Sequence, residues 1–275
     1  MGDLDRILSV LGEVRHRLVR IALVLGPLFG FLLTFELRAV DLHAGGWTIP
    51  LVYPYPSLFY NVTAQVFLAL KAWVLPPGVT LLNVGVGDSV IVQLEIGLLL
   101  TVILGMPWIV HEVGAFLFPA LRQNERELLR RIGIPATLLF ALGTALGIGF
   151  LTPLTFRLLF DYVAAMGTAP VVGIESFVEF TLLYSLAFGV AFELPVFVYG
   201  LTRLGLVRAA SWRQHWRAAV LGSLVFGMLV TPDNSGITML LVAAPMIVLY
   251  LGGVWFASRW EHQRDGGRPV AAAGA

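Results

Sequence analysis

Glu13, Arg15 and Arg17 stand together in the run Leu11-Gly12-Glu13-Val14-Arg15-His16-Arg17-Leu18. A carboxylate beside guanidinium groups can pair internally at i,i+4 or accept a cation from outside. At helical spacing Leu4, Ile7, Leu8, Leu11, Val14 and Leu18 share one face, and Arg6, Glu13, Arg17 and Arg20 the other. Arg15 projects on the apolar flank, near Leu8 and Leu11. Two readings stay open here. One is a membrane-surface helix in which Arg15 reaches lipid headgroups and Glu13 pairs with Arg17. The other is a docking site for a charged ligand that uses Glu13 and Arg15.

A second acid, Glu125, lies in Phe118-Pro119-Ala120-Leu121-Arg122-Gln123-Asn124-Glu125-Arg126-Glu127. Pro119 is suited to start a short helix. Glu125 is either satisfied by Arg122, with Glu127 on Arg130 or Arg131, or is an acceptor for an incoming cation. Glu95 and Glu193 sit inside apolar runs, where a carboxylate costs about 2.5–3.5 kcal/mol at the bilayer centre. No basic residue shares the depth of Glu193. A protonated acid bonded between helices and a polar path or docking point both fit it.

Signatures of catalysis are missing. The chain has no G-x-S-x-G, H-E-x-x-H or G-x-x-x-x-G-K-[ST] run. Its one lysine is Lys71, there is no cysteine, and the five histidines are scattered. No enzyme, metal site or cofactor is expected.

These acids need elements to hold them. Of 275 residues, 58% are hydrophobic and 13% charged, too apolar for a soluble domain, and the net charge of +1 gives no general pull toward nucleic acid. A spanning helix takes roughly 20 mostly apolar residues. Six stretches are read as spans: 18–36, 89–112, 132–160, 176–202, 217–231 and 236–257. The fifth is short, so the fifth and sixth are expected to form a short hairpin. Ser57–Leu75 is apolar too, but Asn61, Gln65 and Lys71 lie within it and prolines flank it. With Phe59, Tyr60 and Trp73 it reads as an interfacial helix. Fifteen of the 18 basic residues cluster before the first span, after the second, after the fourth and after the sixth. The positive-inside rule places those clusters in the cytoplasm, with both termini inside. The fold class expected is an all-α integral membrane protein of six spans. Residues 1–257 form the membrane domain, with a long extracytoplasmic segment at 37–88, and 258–275 form a loose tail. An acidic start, Asp3 and Asp5, gives no expectation of a cleaved signal peptide.

Four of these motifs, in this order, resemble TatC, the multispanning subunit of the twin-arginine protein translocase. The Leu11–Leu18 run resembles the family's H-L-x-E-L-R-x-R-L start, with Val10 where His is frequent. Phe118–Leu121 with Asn124-Glu125-Arg126 resembles its A-P-A-L-x-x-x-E-R loop. Phe188–Pro195 resembles F-G-x-x-F-E-x-P. Gly227–Asp233 resembles the end of its fifth helix, without the second proline of Thr-Pro-Pro-Asp. The resemblance covers residues 8–257; within it, Glu95 stands where the family commonly has Lys. It implies a receptor for signal peptides bearing paired arginines, in the cell inner membrane. Glu13 and Glu125 would be the arginine-binding carboxylates and Arg15 a neighbouring functional residue. Met228, Thr231 and Thr238 would contact single-span TatA-like and TatB-like partners. Self-association, lipid surroundings and export of folded proteins on the proton motive force also follow from it. The rival from another class is an ion-coupled transporter or channel built on Glu95 and Glu193. An intramembrane hydrolase lacks a Ser–His or paired-Asp constellation.

Overall fold

The first helix, α1 (Asp3–Thr34), continues the N-terminal amphipathic run straight into apolar sequence, with Pro27 inside it. Its outer residues Leu8, Leu11, Leu18 and Leu23 are exposed, as a surface meant for lipid or another chain is. Then follow β1 (Phe35–Ala44), β2 (Trp47–Pro56), α2 (Val62–Val74), β3 (Thr80–Leu82), α3 (Asp88–Leu117) and α4 (Gln123–Leu146). A π-helical turn at Gly147–Leu151 leads to α5 (Thr152–Ala165), β4 (Val171–Gly173), α6 (Ile174–Ala191), α7 (Leu194–Arg203), α8 (Ala209–Gln214), α9 (Trp216–Val230) and α10 (Gly236–Gly266). The computed structural model describes residues 3–44, 47–117, 123–231 and 236–266.

Among the described residues, five helical stretches are long and apolar enough to cross a membrane: Val10–Thr34, Asp88–Phe116, Arg126–Ala165, Ile174–Arg203 and Gly236–Gln263. The remaining expected span, 217–231, is α9, whose 15 residues reach only about 22 Å. The Ser57–Leu75 run folds as the 13-residue α2, too short to span.

Two expectations need correction. The first span was read to residue 36, but α1 stops at Thr34 and the chain turns into an antiparallel ribbon, β1 on β2, with Phe35 opposite Pro56 and Ala44 opposite Trp47. The fourth span was read as one helix, but it breaks between α6 and α7. Pro195 has no N–H for the carbonyl one turn back, so the ladder is interrupted there. The last helix, α10, runs to Gly266.

The packing divides the chain into two units, Met1–Glu112 with Ile148–Leu183, and Val113–Gly147 with Tyr184–Ala275. In the first, α3 lies close to α1: a Cβ on Gly97 would sit 3.0 Å from the Phe29 ring. Phe177 is fully buried, with Phe67 edge-on at 6.3 Å and Phe156 at 5.5 Å. β3 pairs in parallel with β4. Asn61 caps α2 and ties three helices together. Its amide donates to Leu33 O at 2.9 Å, Leu58 O at 3.2 Å and Gln93 Oε1 at 2.8 Å, while Oδ1 accepts from Thr63 Oγ1 at 2.7 Å and Ala64 N at 3.0 Å. On the ribbon, Arg38 donates to Glu36 and lies 4.1 Å over the Tyr55 ring. Donating to the Glu36 carboxylate raises the Arg38 pKa above its ordinary value.

In the second unit α4 and α6 touch through glycine. A Cβ on Gly143 would meet Phe188 O at 2.4 Å, and one on Gly189 would meet Phe140 and Thr144 at 2.7 Å. Gly143 and Gly147 form a small-xxx-small spacing, which lets two helix backbones approach. A second cluster gathers Val198, Ala209, Tyr250, Val254 and Ala257, with Trp212 against it. Tyr250 Oη donates to Trp212 O at 2.6 Å, and Trp212 Nε1 to Thr202 Oγ1 at 3.1 Å. α9 and α10 make the expected hairpin contact: a Cβ on Gly227 would lie 2.6 Å from Met239 O.

Candidate functional site

One turn of α1 separates Glu13 from Arg17, so helical geometry alone brings the two side chains together. Arg17 Nη2 donates to Glu13 Oε1 at 2.9 Å and Nε to the same oxygen at 3.3 Å. A third group enters from α3, where Glu112 Oε2 accepts from Arg17 Nη1 at 3.1 Å. One guanidinium thus bridges two carboxylates, and the three groups sum to one negative charge. They lie at graded depth. Glu13 keeps 38% of its side-chain surface, Arg17 19% and Glu112 3%. The acid that can be reached from outside is therefore Glu13, while Glu112 serves an internal cation. A buried carboxylate is tolerated only when paired, and Arg17 supplies that pairing.

Arg15 is exposed on α1, as is His16. Glu125 belongs to the first turn of α4, where an acid complements the helix dipole, but its side chain lies outside the described residues. So do Phe118–Arg122 and the Pro232-Asp233 end of the fifth-helix motif. Glu127 pairs with Arg131 at 2.6 Å, both about two-thirds exposed, a solvated pair that adds little stability.

The two acids expected in the membrane both lie within membrane-length stretches, Glu95 in Asp88–Phe116 and Glu193 in Ile174–Arg203. Glu193 is not inside an uninterrupted helix: it is the residue preceding α7, at the break itself, and its Oε1 is buried with no hydrogen-bond partner. Glu95 lies on α3 with Oε2 buried and without a partner, near enough to Glu179 and Glu175 of α6 to interact with them. Of the three residues read as a partner patch, Met228 is 59% exposed, whereas Thr231 and Thr238 are buried. Thr231 donates to Gly227 O at 2.9 Å.

Sequence reasoning missed Glu112. It stands at the end of an apolar run and reads there as an ordinary boundary charge. The usable signal was that Arg17, also at a span boundary, needs a second acid if Glu13 is to be shared.

The family model described as Sec-independent protein translocase protein (TatC) matches residues 9–245. The chain belongs to the TatC family. Among its relatives, the Sec-independent protein translocase protein TatC of Cenarchaeum symbiosum is 36% identical over 253 residues, covering 92% of this chain and 94% of that protein. The TatC of Escherichia coli K12 is 30% identical over 207 residues, covering 75% of this chain and 78% of the other. A crystal structure of the twin-arginine translocase receptor TatC superposes with a TM-score of 0.71 over 91% of this chain and 98% of that one, at 23% identity, and so shares the fold. This TatC-family chain is thus a multi-pass membrane component of the Sec-independent protein translocase, and not an enzyme of a usual kind. The ion-coupled transporter reading of Glu95 and Glu193 finds no support in these relatives.

Proposed function

We propose that this chain is the receptor at which signal peptides with two adjacent arginines dock before a folded protein is exported. Glu13 takes one guanidinium and Glu125 the other, each from its own segment, with Arg15 beside Glu13. A guanidinium offers a planar fork of donors that a carboxylate can accept at both oxygens, and lysine offers no such fork. The observation that carries this reading is the family match over residues 9–245, which contains both acid-bearing motifs. Support also comes from Arg17, since it demonstrates that the Glu13 carboxylate accepts a guanidinium in its folded setting.

The membrane arrangement belongs to the same proposal. Six helices span the cell inner membrane, α9 as the short one, and the basic clusters hold both termini in the cytoplasm. The membrane domain is 1–257, with 37–88 outside and α2 lying at the outer interface. Met228, with Thr231 and Thr238 behind it, marks the α9–α10 edge as the face for TatA-like and TatB-like single-span proteins. Copies of the chain associate within the complex, and the proton motive force drives transport.

A photo-crosslinkable twin-arginine peptide tests the site on the full chain in membranes. Glu13→Ala and Glu125→Ala should each cut crosslinking about tenfold or more, the value of one charge-assisted pair. Replacing both peptide arginines by lysine should do the same. Wild-type crosslinking in both variants would reject the site.

A further inference from the structure

The Glu13 carboxylate is already occupied by a guanidinium of the same chain. We infer that Arg17 is a resident stand-in for the arriving arginine, and that Glu112 is the group that keeps Arg17 when Glu13 is taken. This rests on the reading of Glu13 as an arginine-binding acid.

Three features of the geometry carry it. Both contacts from Arg17 to Glu13 fall on one oxygen, Oε1, at 2.9 and 3.3 Å. That is weaker than a fork laid across both oxygens, so an incoming guanidinium that uses both can displace it. Second, the exposures divide the labour. Glu13 at 38% is open to a peptide, and Glu112 at 3% is not. Third, Arg17 Nη1 is on Glu112 Oε2 at 3.1 Å before any ligand arrives. Losing Glu13 therefore leaves the Arg17 charge paired. Without Glu112, the same exchange would strand a largely buried cation, a costly outcome. The exchange also balances charge, since the two carboxylates and one guanidinium leave room for one further positive group.

An internal competitor reduces the fraction of sites ready to bind, and it does so equally for every ligand of that site. Arg17 therefore sets an affinity threshold rather than a preference between arginine and lysine. A lone exposed or half-exposed i,i+4 pair is worth up to about 1 kcal/mol, so relief of the competition should tighten binding about three- to sixfold.

The test uses the full chain in nanodiscs and a fluorescent twin-arginine signal peptide, with a twin-lysine version alongside, read by anisotropy. The double variant Arg17→Gln with Glu112→Gln removes the competitor and its buried counter-charge together. It should bind both peptides more tightly, and by the same factor. Glu112→Gln alone should weaken both, since Arg17 then has only Glu13. Wild-type affinity in the double variant, or a gain for one peptide only, would overturn the inference. If the double variant does not fold, Arg17→Lys serves: it keeps the charge but loses the fork. It should tighten both peptides by a smaller common factor, and unchanged affinity overturns the idea equally. Glu13→Gln separates the two levels. Full binding by Glu13→Gln would reject the receptor reading itself; loss there, with no gain in the double variant, would reject only the role of Arg17.

Discussion

Asn61→Ala should unfold the first unit's packing more than any single core truncation of similar size. Asn61 is 1% exposed, and its side chain makes five hydrogen bonds. The loss has two parts. As N-cap of α2 its oxygen satisfies Ala64 N–H, and removing such a cap costs about 1 kcal/mol. The amide also serves carbonyls at the end of α1 and before α2, and Gln93 on α3, while its oxygen serves Thr63, itself 0% exposed. Each buried partner left unsatisfied costs about 1–3 kcal/mol. Allowing for relaxation and water entry, the total is about 3 kcal/mol. For a chain of this size that lowers the thermal midpoint by roughly 6–10 °C. The substitution series divides the two parts. Asn61→Ser keeps a cap but loses the amide, and should fall between wild type and Ala. Asn61→Asp keeps the cap oxygen but aims a carboxylate at two carbonyls and Gln93 Oε1, and should be at least as damaging as Ala. Fluorescence-detected unfolding in detergent measures the order. An Ala variant within about 0.5 kcal/mol of wild type, or an Asp variant equal to it, would refute the argument.

Gly143→Ala should lower stability by about 1–3 kcal/mol, because its Cβ meets a backbone oxygen of α6 at 2.4 Å and neither helix can yield cheaply. Gly30→Ala, in α1 with nothing within 4 Å, should instead be neutral or stabilising by up to about 1 kcal/mol; equal effects at the two sites in the same unfolding assay would deny the packing basis. Glu193→Leu should leave the thermal midpoint unchanged or raise it, since it removes a buried oxygen with no partner, while export of a twin-arginine reporter in cells falls. A midpoint lowered by several degrees would show that the carboxylate is a structural element.

The membrane-length helices were legible because hydropathy acts over whole segments: about twenty apolar residues in a row have few alternatives to a span. Features that depend on one residue or on partners far apart were harder. The strand pair had a local signal on one side only, Gly45-Gly46 followed by a run rich in β-branched and aromatic residues at Trp47–Tyr55, while Phe35–Ala44 carries just Phe35 and Val40 of those types. The break at Glu193 was written in Pro195, two residues on. The Gly143–Gly147 contact was written in its spacing, but the partner, Phe188, could not be inferred from local pattern.

Glu112 shows why the candidate site was only half readable. The Glu13–Arg17 pair is local and follows from helical period, so the sequence exposes it. Glu112 lies 95 residues from Arg17, and nothing in its own neighbourhood distinguishes it from a charge at a helix end. What gives it meaning is burial: at 3% exposure an ionised carboxylate is costly without a cation, and Arg17, which also holds Glu13, supplies one. Within that sharing, the Nε and Nη2 donors that face Glu13 both reach one oxygen, Oε1, rather than lying across the two. On the proposal above, the exposed acid can then exchange its guanidinium, as a receptor that accepts and releases an arginine requires.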